Sequence, residues 1–157
     1  MSERQIDELL ERVRYGHFGC SRNDQPYIVP IHYSYKKPDL FVYTTDGKKT
    51  EIIRANPTVC LQVEEVFDDG DWQSVIVTGE AERIEEIDER EAAMAIIQAD
   101  NPKLAPAISV KWLDSWIREN VEIIYRIKPR MITGLIATHV ETQAAVANPM
   151  RQRPQIY

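Results

Sequence analysis

Tyr27, Val29, Ile31, Tyr33 and Tyr35 occupy every second position of one segment, with Ile28, Pro30, His32 and Ser34 between them. Only an extended chain sends alternate side chains to opposite faces, so the spacing predicts a strand over 27–35 with one apolar face. The same signal returns along the chain. Gly16 to Ser21 reads as a short strand ending at the turn pair Asn23-Asp24, and Leu40 to Thr45 as the strand that follows the turn Lys36-Lys37-Pro38-Asp39. Val59, Leu61 and Val63 mark a fourth strand, Trp72 to Ile84 a long fifth, and Val121 to Thr138 a sixth that is interrupted near Pro129. Pro30 lacks an N–H, which places its strand at a sheet edge or at a break in a ladder. Gly79 marks a bulge or a close backbone approach.

Helical spacing is confined to the margins of this series. It covers residues 3–14, through Ile6, Leu9, Leu10 and Val13, then Lys48 to Ala55, Ile87 to Ala99 and a short stretch from Val110 to Trp116. Asp46 or Thr45 is the expected N-cap of the second helix, and Asn56-Pro57 its stop. Strands and helices do not alternate, which excludes a doubly wound parallel sheet. The pattern predicts a mainly β fold with flanking helices, a six-stranded antiparallel barrel over residues 1–140. A polar, proline-containing tail over 141–157 follows it.

The 157 residues suit one domain. A net charge of −6 argues against a nucleic-acid binder, which presents a basic face. No apolar run approaches the roughly 20 residues of a membrane span. The charged start Met1-Ser-Glu-Arg-Gln-Ile-Asp-Glu-Leu-Leu10 has no signal-peptide block, so a cytoplasmic protein is expected. Cys20 and Cys60 have no CxxC partner or companion histidines at ligand spacing, and they read as reduced thiols with no metal site.

Few residues carry a chemical signal. Gly47-Lys48-Lys49 is not a nucleotide-binding glycine loop, because Val42 and Lys49 stand where that motif needs glycine and Ser or Thr. It does combine a helix start, two preceding threonines and two ammonium groups, which are the parts of a phosphate seat. A solvated cationic turn has the same sequence. His17, His32 and His139 are scattered and form no hydrolytic constellation, although a single exposed imidazole suffices as a haem ligand. Tyr27, Tyr33 and Tyr35 read as core, and Trp72 as a partly exposed or subunit-contact residue.

Several segments taken in order resemble a known family: Gln25-Pro-Tyr-Ile-Val-Pro-Ile-His-Tyr-Ser-Tyr35, Leu40-Phe-Val-Tyr-Thr-Thr45, Gly47-Lys-Lys49 and Asn56-Pro-Thr-Val-Cys60. Trp72-Gln-Ser-Val-Ile-Val-Thr-Gly-Glu-Ala-Glu-Arg83 and Tyr125-Arg-Ile-Lys-Pro129 continue the series. Together they are similar to the FMN-binding split barrels, the pyridoxamine 5′-phosphate oxidase-like proteins. Gly16-His-Phe-Gly19 resembles the nitroimidazole-resistance-type branch in particular. The resemblance implies a split β-barrel in which Val29, Pro30, Ile31 and His32 lie along a flavin ring and its ribityl chain. Tyr43, Thr44 and Thr45 would flank the phosphate, and Lys48 and Lys49 would grip it. Gln73 would reach the ring from the second subunit of a homodimer, with the flavin at the interface. The vitamin B6 oxidases carry an arginine where this chain has Ile28, and their C-terminal substrate elements have no counterpart in 143–157, so that activity does not carry over. The implied function is an FMN-dependent oxidoreductase acting on a small molecule, with no catalytic residue assigned. The alternatives are a non-catalytic flavin or haem binder serving as store or sensor, and a reductase using the deazaflavin F420.

Overall fold

The computed structural model describes residues 1–67, 70–103 and 122–138. The helix expected over Val110 to Trp116, His139 and the 141–157 tail lie outside them. Three helices and seven strands follow in chain order: α1 (Glu3–Val13), β1 (Tyr15–Arg22), β2 (Gln25–His32), β3 (Ser34–Lys36), β4 (Asp39–Thr45), α2 (Lys48–Ala55), β5 (Thr58–Val66), β6 (Trp72–Arg83), α3 (Ile87–Asp100) and β7 (Glu122–Ala137). All seven strands form one antiparallel sheet in the order β2-β1-β5-β6-β7-β4-β3.

The sequence predicts six strands, and the seventh arises because the 27–35 segment divides at Tyr33. Its first part, β2, pairs with β1 at one edge of the sheet, and its last part, β3, pairs with β4 at the other. Strands separated by a single residue must be close in space, so the sheet has to curl until its edges meet. The result is a split barrel whose edges are joined by the chain and not by a hydrogen-bonded ladder. Pro30 sits on β2, an edge strand, where its missing N–H leaves no gap in a central ladder.

Local chemistry accounts for the turns. Asn23 and Asp24 take φ of 52° and 59°, the doubly left-handed turn that suits a two-residue hairpin, and they set Arg22 opposite Gln25. β7 runs unbroken through Pro129, contrary to the interruption expected there. The ladder with β6 slips between Thr78 and Gly79, so that Thr78 faces Met131 and Gly79 faces Pro129, leaving Arg130 as the extra residue of a bulge. The residue that cannot donate thus falls at the irregularity.

The inward faces of the strands form the core, with Phe18, Leu40, Val42, Leu61, Val63, Val75, Val77, Ile123 and Ile127 essentially inaccessible. α1 lies over the end of the barrel near β5 and β6 and contributes Leu9 and Leu10 to it. α2 packs near β1 and contributes Ile52 and Ile53. α3 covers the outer face of β4 and β7 through Ala93 and Ile97 against Phe41, Ile84 and Ile124. The outer surface formed by β6 and β7 is different: Ile76, Met131 and Leu135 are exposed there.

A Cβ at Gly79 would stand 2.2 Å from the Lys128 carbonyl oxygen, whereas one at Gly47 would meet nothing within 4 Å. Gly79→Ala is therefore expected to cost about 2 kcal/mol or more in urea unfolding, and Gly47→Ala no more than about 0.5 kcal/mol. Equal stability of the two variants would show that the bulge is not fixed by backbone contact.

Candidate functional site

Several polar groups meet at the start of α2: the Asp46 carboxylate, the Gly47 N–H, the Thr50 hydroxyl and the ammonium groups of Lys48 and Lys49. Its N-cap is Gly47, in extended backbone, and not the expected Asp46 or Thr45. Asp46 instead accepts from the Gly47 N–H at 3.2 Å and from the Thr50 hydroxyl. These bonds, the hydroxyl's first, hold the Asp46 carboxyl below its ordinary range. Thr50 is fully buried, and its hydroxyl also accepts from the Gly47 N–H at 2.9 Å. A glycine N-cap has no side chain to fold over the first turn, so the N–H groups there have neither an intrahelical acceptor nor a side-chain cap.

The two lysines at this helix start point to different strands. Lys49 donates to the Thr44 hydroxyl on β4 at 2.6 Å. Lys48 holds its ammonium 4.7 Å from the centre of the Tyr27 ring on β2. β2 and β4 come into contact across the split of the barrel, so the pair straddles that seam. Lys49 is half-buried, and among the described residues no carboxylate lies within ion-pair distance of either lysine. Burial holds the Lys49 ammonium below its ordinary range. The neighbouring Cys20 thiol is pushed up by burial, so it stays neutral and cannot offset the charge. A half-buried cation with a hydroxyl neighbour and no counter-ion among the described residues, at a helix start without a side-chain cap, has the chemistry that suits an anion.

The other residues singled out in the sequence distribute as follows. Val29 and Ile31 face inward on β2, half-buried and buried, while Pro30 and His32 are exposed. The His32 ring meets Tyr15 edge-on at 5.4 Å, and Tyr15 in turn meets His17 at 6.1 Å, giving a row of rings on the outer face. Thr44 and Thr45 lie at the end of β4 beside Ile123 and Glu122. Tyr43 alternates with Thr44 and turns the other way, toward α3. There its hydroxyl engages Glu122, and burial first and that carboxylate second push it up to about 12. It lines a cavity of about 380 Å³ with Met94, Gln98, Asn101 and Glu122, so its side chain stands apart from the lysines.

Gln73 is not brought to the lysines within one chain. It faces Ile136 near one end of β7, whereas Thr45 faces Glu122 at the other. Its amide donates to Glu65 at 2.7 Å, and Arg12 holds the same carboxylate at 2.7 Å. Tyr27, which the sequence reads as core, and Thr50, to which it gives no role, both carry parts of the site. Tyr27 lies in an alternating apolar run, where a ring reads as core, and nothing in that run signals a cation at the first position of a helix two strands further along the chain.

Comparison with known proteins identifies the family. A family model described as pyridoxamine 5′-phosphate oxidase matches residues 2–136. The chain belongs to that family. A FAD-binding protein from Mesorhizobium loti is 27% identical, with a TM-score of 0.70 over 88% of this chain and 96% of that one. A candidate 5-nitroimidazole antibiotic resistance protein from Bacteroides thetaiotaomicron shares the fold at a TM-score of 0.66 and 20% identity, over 86% of this chain and 84% of that one. An uncharacterized protein of Rhizobium meliloti is 37% identical over 79 residues, 50% of this chain and 52% of that protein. The match therefore spans about half the length of that curated relative.

For this pyridoxamine 5′-phosphate oxidase family member, Lys49, half-buried and without a carboxylate partner among the described residues, should weaken the ligand-free fold. Replacing Lys49 with methionine keeps the length of the side chain and removes the charge. Lys49→Met is expected to stabilise the protein without ligand by roughly 1 kcal/mol, seen as a raised midpoint in thermal unfolding. A lowered midpoint would show that the ammonium is already compensated.

Proposed function

We propose that the chain is a flavoprotein that holds FMN by its 5′-phosphate at the start of α2 and uses it as the redox centre of an oxidoreductase acting on a small molecule. The observation that carries this reading is the half-buried, unpaired Lys49 beside Thr44 at an open helix N-terminus. The phosphate would accept from the Lys49 and Lys48 ammonium groups and from the N–H groups of the first turn. Val29 and Ile31 offer β2 backbone and apolar surface along the seam for the ring and ribityl chain. When bound, the flavin supplies the electron or hydride transfer, and the protein supplies binding, orientation and access. FAD is the second reading, favoured by the FAD-binding relative from Mesorhizobium loti. Both cofactors carry a ribityl 5′-phosphate, so the lysines serve either.

The reading includes a homodimer. Ile28, Ile76, Met131 and Leu135 leave apolar side chains uncovered on β2, β6 and β7, at 66%, 41%, 59% and 64% exposure, and Trp72 on β6 is also exposed. Several large apolar residues on one curved sheet suit an isologous interface of order 2,000 Å². Pairing of two chains is also what would let Gln73 approach a ring held by its partner's lysines. Sedimentation equilibrium should return twice the 18.2 kDa chain mass. A monomer with full flavin content would remove Gln73 from the site.

Titration by flavin fluorescence tests the phosphate seat. FMN is expected to bind at least about tenfold more tightly than riboflavin, and replacing Lys48 and Lys49 together by alanine should cost FMN about 2 kcal/mol, roughly thirtyfold, while leaving riboflavin unchanged. Equal affinity for the two flavins would sink the reading. Stronger binding of FAD than of FMN would select the second cofactor. Loss of the long-wavelength flavin absorption on adding NADH or NADPH separates a reductase from a non-catalytic store, and a Soret band in place of flavin bands would favour haem.

The pH dependence has a definite sign. A phosphate stabilises the protonated lysine, so affinity is complete below the Lys49 pKa of the ligand-free protein and falls as pH rises through it. That pKa lies below the ordinary lysine value of 10.5 because of burial. FMN affinity should decline on the alkaline side before an exposed lysine would lose its proton, and riboflavin affinity should not follow it. Parallel alkaline declines for both flavins would assign the effect to the fold.

A further inference from the structure

We infer that Tyr27 is a positioning residue of this anion site, acting through Lys48; the inference rests on the phosphorylated-flavin reading. Lys48 is exposed and begins α2, and a lysine in that place samples many rotamers in water. Here its ammonium lies 4.7 Å from the centre of the Tyr27 ring, on the opposite side of the seam. Tyr27 is itself fixed. It is half-buried, packs against the barrel core and faces Cys20 across the β1–β2 ladder.

The nature of this contact matters as much as its position. A carboxylate at the same place would orient Lys48 and also cancel its charge, and it would have to be displaced before an anion could bind. An aromatic face attracts the ammonium through its quadrupole and leaves the full positive charge on it. An ammonium carries three N–H donors, and one ring face occupies one side of it. The others remain available to a phosphate. Lys49 is restrained in the same manner by a neutral partner, the Thr44 hydroxyl. The site therefore holds both cations with groups that do not compete for the ligand, one from each side of the seam. This reduces the ordering that binding must otherwise impose.

The test is a coupling measurement on the full chain. Tyr27→Leu is expected to weaken FMN binding roughly two- to fivefold, the range of an exposed cation–π contact. Tyr27→Phe, which keeps the ring face, should bind FMN like the parent. Riboflavin affinity should be the same in all three proteins, which also checks that the fold is retained. In a Lys48→Ala background the Tyr27→Leu loss should vanish, because the ring then has no ammonium to place. Unchanged or tighter FMN binding by Tyr27→Leu would overturn the inference, as would an equal loss in the Lys48→Ala background. These results leave the parent's preference for FMN over riboflavin intact, so they are distinct from failure of the phosphate reading, in which that preference is absent from the start.

Discussion

The structure depends on what happens at Tyr33. The chain leaves one edge of the sheet at His32 and joins the other at Ser34, and the residue between them is fixed at both ends. The Tyr33 N–H donates to the Arg14 carbonyl at 3.2 Å, and its hydroxyl donates to the Leu10 carbonyl at 2.9 Å. Burial holds that hydroxyl well above its ordinary range, so it remains a donor at any physiological pH. One residue thereby ties both edge strands to the end of α1. Closing a sheet by a ladder would use the edges themselves; closing it by a crossing strand leaves a split beside the crossing.

That split is what places the site. β2 and β4 approach each other without pairing, and α2 follows β4 directly, so the helix start falls beside the gap. Its two lysines can then reach opposite sides, Lys49 to Thr44 and Lys48 to Tyr27. The outer half of the sheet is left bare by the same arrangement, because α3 covers β4 and β7 while no described helix lies over Ile76 and Leu135. One topological decision thus produces a seam beside α2 and an uncovered apolar face on β6 and β7.

How much of this was legible in the residues varies by element. Alternation at period two marks the strands well, since each has one face in the barrel core, and β2, β4, β5 and β6 lie where it places them. It does not show that 27–35 changes edge, because a strand that switches partners keeps its alternation, with Ile31, Tyr33 and Tyr35 all buried. The break is written only in which strands pair, a long-range property. The N-cap of α2 was misplaced for a related reason: Asp46 is the better capping residue, but its carboxylate is taken by Gly47 and the buried Thr50 hydroxyl. Lys48 and Lys49 are visible as a pair. Their difference in burial is not, because it follows from which strand each one meets.

Several other cations on this surface are paired with carboxylates. Lys37 lies 2.6 Å from Glu3 and 2.8 Å from Asp7, Arg12 meets Glu65, and Lys128 meets Glu82. Asp7 is lowered by Lys37 and by the Tyr35 hydroxyl, so α1 is held to β3 by a contact that persists until the pH falls below the ordinary carboxylate range. Against this background the start of α2 violates several local preferences at once. It has a glycine where a capping side chain is favoured, a half-buried lysine without a carboxylate, and a second lysine resting on a ring. The half-buried lysine without a carboxylate is unfavourable for folding alone, while the glycine cap and the ring contact leave the helix start open to an incoming anion. Their coincidence at one seam is the pattern expected where local stability has been given up for a ligand that is itself negatively charged.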